Sequence, residues 1–255
     1  MKILCIGDIV GTPGCEMVYT QLKYIVNDYG IDFVIANGEN AATGNGITAE
    51  KAEKLVDSGI DVITLGNHAF AKAEAGELMS NGFPMIRPIN FPTKTLGSGF
   101  ILKECQGKKI AVINALGRVY MNPIDSPFEA VSKCVDDIKD KADIIVVDFH
   151  AEATSEKAAM AWYLDGRVSV VFGTHTHVQT ADERLLPNGT AFITDIGMTG
   201  PYNSILGVDK DIAVTRFLTL MNKRYELAKG NSVLNGIILD VEGVNVKSIK
   251  RLSLC

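Results

Sequence analysis

The sequence predicts an α/β fold with mixed sheets, and three observations lead there. Short apolar runs of strand length alternate with stretches of helical periodicity, the pattern of βαβ units. Two adjacent strand pairs, near 99–114 and 235–251, add antiparallel character, so the sheets are expected to be mixed. The chain has 255 residues, 47% of them apolar and 22% charged, which suits one globular domain spanning 1–255. No repeat, low-complexity segment or Pro/Gly/Ser-rich linker divides it.

The elements follow in order. The N-terminal apolar stretch is broken by Asp8, too early for a secretory signal, so residues 3–6 read as a first buried strand. Residues 15–29 carry apolar positions at helical spacing, 33–36 are strand-like, 49–58 helical and 62–65 strand-like again. A helix is expected over 74–80, then two strands within 99–114 joined by a turn at 106–108. Ser126 before Pro127 is an N-cap signal for a helix over 126–139. Next come a strand at 144–147, a helix at 155–164, and strands at 168–172 and 191–194. A long loop runs to about 207, followed by a helix near 212–222 and two strands joined at 242–243.

Composition excludes several function classes. No apolar run approaches 18 residues, so no membrane-spanning helix is expected. The net charge is −5 with no basic block, so an RNA partner is not indicated by charge. Five cysteines, odd in number and without a CxxC pair, suit a reducing cytoplasm better than a disulfide framework.

The polar residues are informative by position. Asp8 closes the first strand; Glu39 and Asn40 follow the second; Asn67 and His68 follow the third. His150 follows the run IIVVDF, and His175 and His177 follow VVFG. Any one of these alone is an ordinary turn residue. Five strand ends together, carrying all four histidines of the chain, define one ligand-binding edge. On an extended segment His175 and His177 would point the same way, roughly 6.6 Å apart, suiting two imidazoles that reach two cations. Carboxylate, amide and imidazole donors without thiolate favour Mn, Fe or Zn, with Glu39 the expected bridge between two ions. Cys5 lies within the first strand and reads as core.

The series Asp8, Gly38-Glu39-Asn40, Gly66-Asn67-His68, His150 and Gly173-Thr174-His175-Thr176-His177 resembles the calcineurin-like metallophosphoesterases. Most of that family carries Asp-x-His and Gly-Asp as its first two motifs. Here they read Asp8-Ile9-Val10 and Gly38-Glu39-Asn40, which resembles the YmdB-type branch of 2′,3′-cyclic nucleotide phosphodiesterase-like proteins. Residues 194–202, 205–207 and the pair Gly117-Arg118 share the likeness, which runs over about residues 2 to 251.

The resemblance implies two mixed sheets packed face to face with flanking helices, an α/β/β/α sandwich. It implies two metal ions, Fe or Mn first and Zn as an option. One would be held by Asp8, Glu39, Asn40 and His177, the other by Glu39, Asn67, His150 and His175. His68 would be the catalytic proton donor to the leaving group. The implied reaction is hydrolysis of 2′,3′-cyclic nucleotides or related small phosphodiesters by a metal-bridging hydroxide, in a cytoplasmic homo-oligomer. The rival readings are a phosphomonoesterase, an RNA-directed nuclease, or a metal-bound regulatory or scaffolding protein. Arg118 and loops 115–127 and 195–207 are candidates for shaping the pocket. In the branch, GNH is followed by a residue, an aromatic and an acidic residue; here Phe70 keeps the aromatic but Ala71 lacks the carboxylate. Glu74 and Glu77 are the acidic candidates to support His68 instead.

Overall fold

Four consecutive apolar residues, Ile3, Leu4, Cys5 and Ile6, are all fully buried. A strand achieves this only where both faces of its sheet are covered. The computed structural model describes residues 1–43 and 45–255 and shows how that comes about. In chain order the strands are β1 (Lys2–Ile6), β2 (Asp8–Ile9), β3 (Phe33–Asn37), β4 (Val62–Thr64), β5 (Met85–Ile86), β6 (Phe100–Cys105) and β7 (Lys108–Leu116). They continue with β8 (Ile144–His150), β9 (Val170–Thr174), β10 (Arg184–Leu185), β11 (Ala191–Ile193), β12 (Met198–Pro201), β13 (Ser232–Glu242) and β14 (Asn245–Leu254). The helices are α1 (Gly11–Tyr29), α2 (Ala49–Asp57), α3 (Glu74–Ser80), α4 (Pro127–Ile138), α5 (Thr154–Leu164) and α6 (Lys210–Thr219).

One sheet has the order β2-β12-β13-β1-β3-β4-β5, with β14 paired to β13; the other runs β10-β11-β9-β8-β7-β6. Alternation along β1 separates the layers. Ile3 and Cys5 face the second sheet and pack with Phe33, Ile35, Val146 and Phe172. Leu4 and Ile6 face outward, under Val18 and Leu22 of α1 and Leu55 of α2. On the far side, Ile113, Val147 and Phe149 pack against Val131 and Val135 of α4 and Met160 of α5. Each such fully buried aliphatic side chain contributes about 1.5–3 kcal/mol. The expected two-sheet sandwich with flanking helices is the architecture found, with Cys5 in its central layer.

Several boundaries differ from the sequence reading, with β8 running on to His150 and β9 spanning Val170–Thr174, and the short strands β5 and β10 are additional. Helix α1 begins at Gly11, not Cys15, because Pro13 falls in the first turn, where the missing N–H has no intrahelical partner to lose. The stretch after β11 is not all loop: β12 pairs in parallel with β2 and antiparallel with β13. Its Met-Thr-Gly-Pro sequence offers no period-2 alternation. Helix α6 starts two residues early, capped by the Asp209 carboxylate on the N–H groups of Asp211 and Ile212, and ends at left-handed Leu220.

Candidate metal centre

Strands β1, β3 and β4 run parallel in one sheet, and β7, β8 and β9 run parallel in the other. The carboxyl ends of both sets meet at one rim of the sandwich. The first sheet delivers Asp8, Glu39, Asn40, Asn67 and His68; the second delivers His150, His175 and His177. The structure brings all eight candidates to this rim.

Three imidazoles are aimed by the acceptors behind them. His177 Nδ1 lies 3.1 Å from the Leu206 carbonyl, which can only accept, so Nδ1 carries the proton and Nε2 is free. His175 Nε2 sits 3.1 Å from the Glu152 carboxylate, leaving Nδ1 free. His150 Nδ1 lies 2.9 Å from the Thr174 hydroxyl, which donates in turn to Asp148 at 2.7 Å. Asp148 is fully buried and also accepts from Thr64 (2.5 Å) and Asn37 (3.2 Å) of the opposite sheet. Such backing of imidazole ligands sets tautomer and ring orientation.

The forward-facing atoms form two overlapping groups. In one, His150 Nε2 lies 2.9 Å from Glu39 Oε1, 3.2 Å from Asn67 Oδ1 and 3.0 Å from His175 Nδ1. In the other, His177 Nε2 lies 3.8 Å from Asp8 Oδ1 and 3.3 Å from the Asn40 amide, itself 3.3 Å from Glu39 Oε1. Glu39 Oε1 belongs to both, and Glu39 Oε2 accepts from the His68 N–H at 3.1 Å. Asp8 Oδ1 is buried without a hydrogen-bond partner, while its other oxygen accepts from the His175 N–H. A buried carboxylate oxygen left unpaired costs several kcal/mol unless a cation completes it, so this donor set fits divalent ions. Glycine at 66 is forced by proximity, since a Cβ there would collide with Glu39 Oε2 and the His150 ring.

The His-x-His pair differs from expectation. Neither residue is extended: φ is 96° at His175 and 64° at His177. The side chains therefore diverge into the two separate groups instead of projecting in parallel. Positive φ at a non-glycine residue costs on the order of 1–3 kcal/mol and persists only where surroundings enforce it.

The charges of these side chains act strongly on one another. Burial opposes ionisation of Glu39, but the imidazoles of His150 and His68 outweigh it and hold the carboxyl at about 2. Burial likewise opposes charge on His150, yet Glu39, Asp8 and Asp148 raise it to about 9. Burial, together with the neighbouring His150 charge, depresses His175 to about 3. Because the His150 value lies above its ordinary 6.5, its contribution is complete below pH 6.5 and lost as pH rises through about 9. Metal-stripped protein is therefore expected to melt at falling temperature from pH 6.5 to 9, whereas Mn²⁺-supplemented protein escapes that fall. A stripped chain with a flat melting profile across this window contradicts the assignment.

His68 stands at the rim, half-buried, with Nε2 3.2 Å from the Asn45 amide. Among the described residues no carboxylate forms an ion pair with its ring. Glu74 is engaged elsewhere, accepting from the Ala49 N–H at 2.6 Å, and Glu77 does not pair with His68 either. A cavity of about 670 Å³ opens beside these groups, walled by Leu206, Val208, Arg224, Tyr225 and Leu227. Of the loops expected to shape it, only the end of 195–207 contributes, through Leu206 and Gly207. Arg118 and 115–127 do not line it; the Arg118 side chain is exposed and its backbone N–H is held by Glu156. Sequence reading missed Asp148, Glu152 and the 224–227 wall. Asp148 had a signal, a carboxylate inside an apolar run that must be buried on both faces.

The two-sheet fold is shared with a 5′-nucleotidase precursor of Thermus thermophilus (TM-score 0.62, 12% identity, covering 100% of this chain and 54% of that one). That likeness is one of fold. The YmdB-like protein family matches residues 4–252, and the chain belongs to it. It is 46% identical over 250 residues to the 2′,3′-cyclic-nucleotide 2′-phosphodiesterase of Bacillus subtilis, covering 98% of this chain and 95% of that protein. A hypothetical protein of Thermus thermophilus superposes with TM-score 0.94 at 41% identity, covering 100% of this chain and 99% of that one. Among the described residues no helix is long and apolar enough to cross a membrane.

Proposed function

We propose that the chain is a two-cation phosphodiesterase acting on 2′,3′-cyclic nucleotides or related small phosphodiesters. The observation that carries this reading is the set of three back-anchored imidazoles whose free nitrogens face two donor groups sharing Glu39 Oε1. The activity named for the Bacillus subtilis relative supports it. Asp8, Glu39, Asn40 and His177 would hold one ion; Glu39, Asn67, His150 and His175 would hold the other. A half-turn of the Asn40 amide presents its oxygen in place of its nitrogen. Iron or manganese is favoured, with zinc also suited to these ligands. When bound, the ions supply Lewis-acid charge to the phosphate and acidify water at neutral pH. The chain's own part is to hold the ester between the two groups and to deliver a proton from His68 to the departing ribose oxygen. The cavity beside His68 has room for the nucleoside.

The net charge of −5 does not oppose this substrate, because the charge at the phosphate comes from the cations. Five free thiols suit a reducing cytoplasm, and exposed Phe217, Leu218 and Leu220 along and after α6 favour a homo-oligomer. The test is purified chain, analysed for metal and assayed with Mn²⁺ or Fe²⁺ on 2′,3′-cyclic AMP, a nucleoside monophosphate and a short RNA. Turnover of the cyclic ester with two ions per chain is the expected result. One ion or none, or activity confined to the monophosphate or RNA, overturns the reading.

A further inference from the structure

Thr176 is the single residue between the two left-handed histidines, and a buried ion pair holds it. Lys157 of α5 and Asp195 are 1% and 0% exposed, with Lys157 Nζ 2.6 Å from Asp195 Oδ2. That same oxygen accepts from the Thr176 N–H at 3.2 Å and from its hydroxyl at 2.6 Å, while Oδ1 accepts from the Gly197 N–H at 2.8 Å. The lysine reaches Asp195 past Gly173, where a Cβ would collide first with the Thr194 carbonyl oxygen and then with Lys157 Cδ at 2.7 Å and Cε at 2.9 Å. Glycine ahead of the His-x-His turn is thus required by the neighbouring strand as well as by the lysine stem. A buried ion pair gives little net stability over well-packed apolar residues, so its presence calls for another use. Here it fixes the N–H and the hydroxyl of the residue whose neighbours, His175 and His177, carry φ of 96° and 64°.

We propose that Lys157, Asp195 and Thr176 form a positioning clamp that keeps the strained turn in place, so that His175 and His177 face their separate groups of donors. The inference rests on the two-cation reading for its consequence, but not for its geometry. Neither Lys157 nor Asp195 contacts the free histidine nitrogens; their hydrogen-bonded link to the turn is through Thr176.

The test compares wild type, Thr176→Val, which keeps the shape and removes the hydroxyl, and Thr176→Ser, which restores it. In metal-free protein, amide exchange across residues 173–178 is expected to quicken about tenfold in the valine variant and to return to wild type in the serine variant. Mn²⁺ affinity, read by competition with a chromophoric chelator, is expected to fall about 10–100-fold in the valine variant and to recover with serine. Lys157→Met, which keeps the stem over Gly173 without the charge, should shift both readings the same way. Unchanged exchange in Thr176→Val overturns the clamp, and unchanged Mn²⁺ affinity overturns its role toward the histidines. If wild type takes up no Mn²⁺, the two-cation reading and the ligand-positioning role fail together, while the exchange data still decide the clamp.

Discussion

Replacing Glu39 by glutamine is expected to lower kcat/KM for a 2′,3′-cyclic nucleotide by about 10³-fold or more, with loss of cation from both donor groups. The substitution preserves shape and removes one charge. Glu39 Oε1 faces His150 Nε2 at 2.9 Å and the Asn40 amide at 3.3 Å, while Oε2 accepts from the His68 N–H at 3.1 Å. Both oxygens act as acceptors, so a glutamine amide turned either way sets a donor against one of these partners, an unmade bond costing about 1–3 kcal/mol. Loss of the shared negative charge adds to this, since metal-assisted charge stabilisation is worth several kcal/mol and each 1.36 kcal/mol is tenfold in rate. Metal analysis alongside kinetics checks the idea. A Glu39→Gln protein that keeps two ions and a tenth of its activity contradicts the shared carboxylate.

His68→Ala is expected to cost about 10²–10⁴-fold in kcat on 2′,3′-cyclic AMP, the usual range for a positioned general acid. The alanine variant keeps the backbone N–H bond from position 68 to Glu39, so only the ring is removed. The discriminating measurement is a second diester with a 4-nitrophenolate leaving group, which departs without needing a proton. There the loss should fall below about tenfold. Equal losses on both substrates would mean that the ring binds or orders the site instead of donating the proton. The His68 ring is engaged by the Asn45 amide and, among the described residues, is unpaired with any carboxylate, so it lacks the acidic neighbour that the branch carries.

Much of the fold was legible because burial on both faces leaves a plain mark. Strands β1, β3 and β8 are built on apolar runs, and their polar neighbours at the carboxyl ends could be read as one edge. The short strands were not legible: β2 and β12 have two and four residues, and their pairing depends on partners far along the chain. The candidate ligands were visible as residue types at strand ends. Their support was not, because an acceptor such as the Leu206 carbonyl has no side-chain signature. The His-x-His spacing misled for a related reason. Period-2 reasoning assumes extended backbone, and the positive φ at His175 and His177 is imposed by tertiary contacts rather than by their sequence. For Arg118 the motif position left open a pocket role or an ordinary solvated side chain; the structure has it exposed, with its N–H on Glu156, while the cavity wall comes from 224–227.

Asp148, the group behind His150, also joins the two sheets. Its partners Asn37 and Thr64 lie 111 and 84 residues away along the chain, and the Asp8 carboxylate meets the His175 N–H across 167 residues. Contacts of such separation carry the loop-closure entropy that slows folding. A partly folded chain, with the first sheet formed and the second still undocked, holds Asp8 and Glu39 without any of the three imidazoles. Cation capture at this centre would therefore be a property of the completed fold, and free energy gained on capture would stabilise that fold alone.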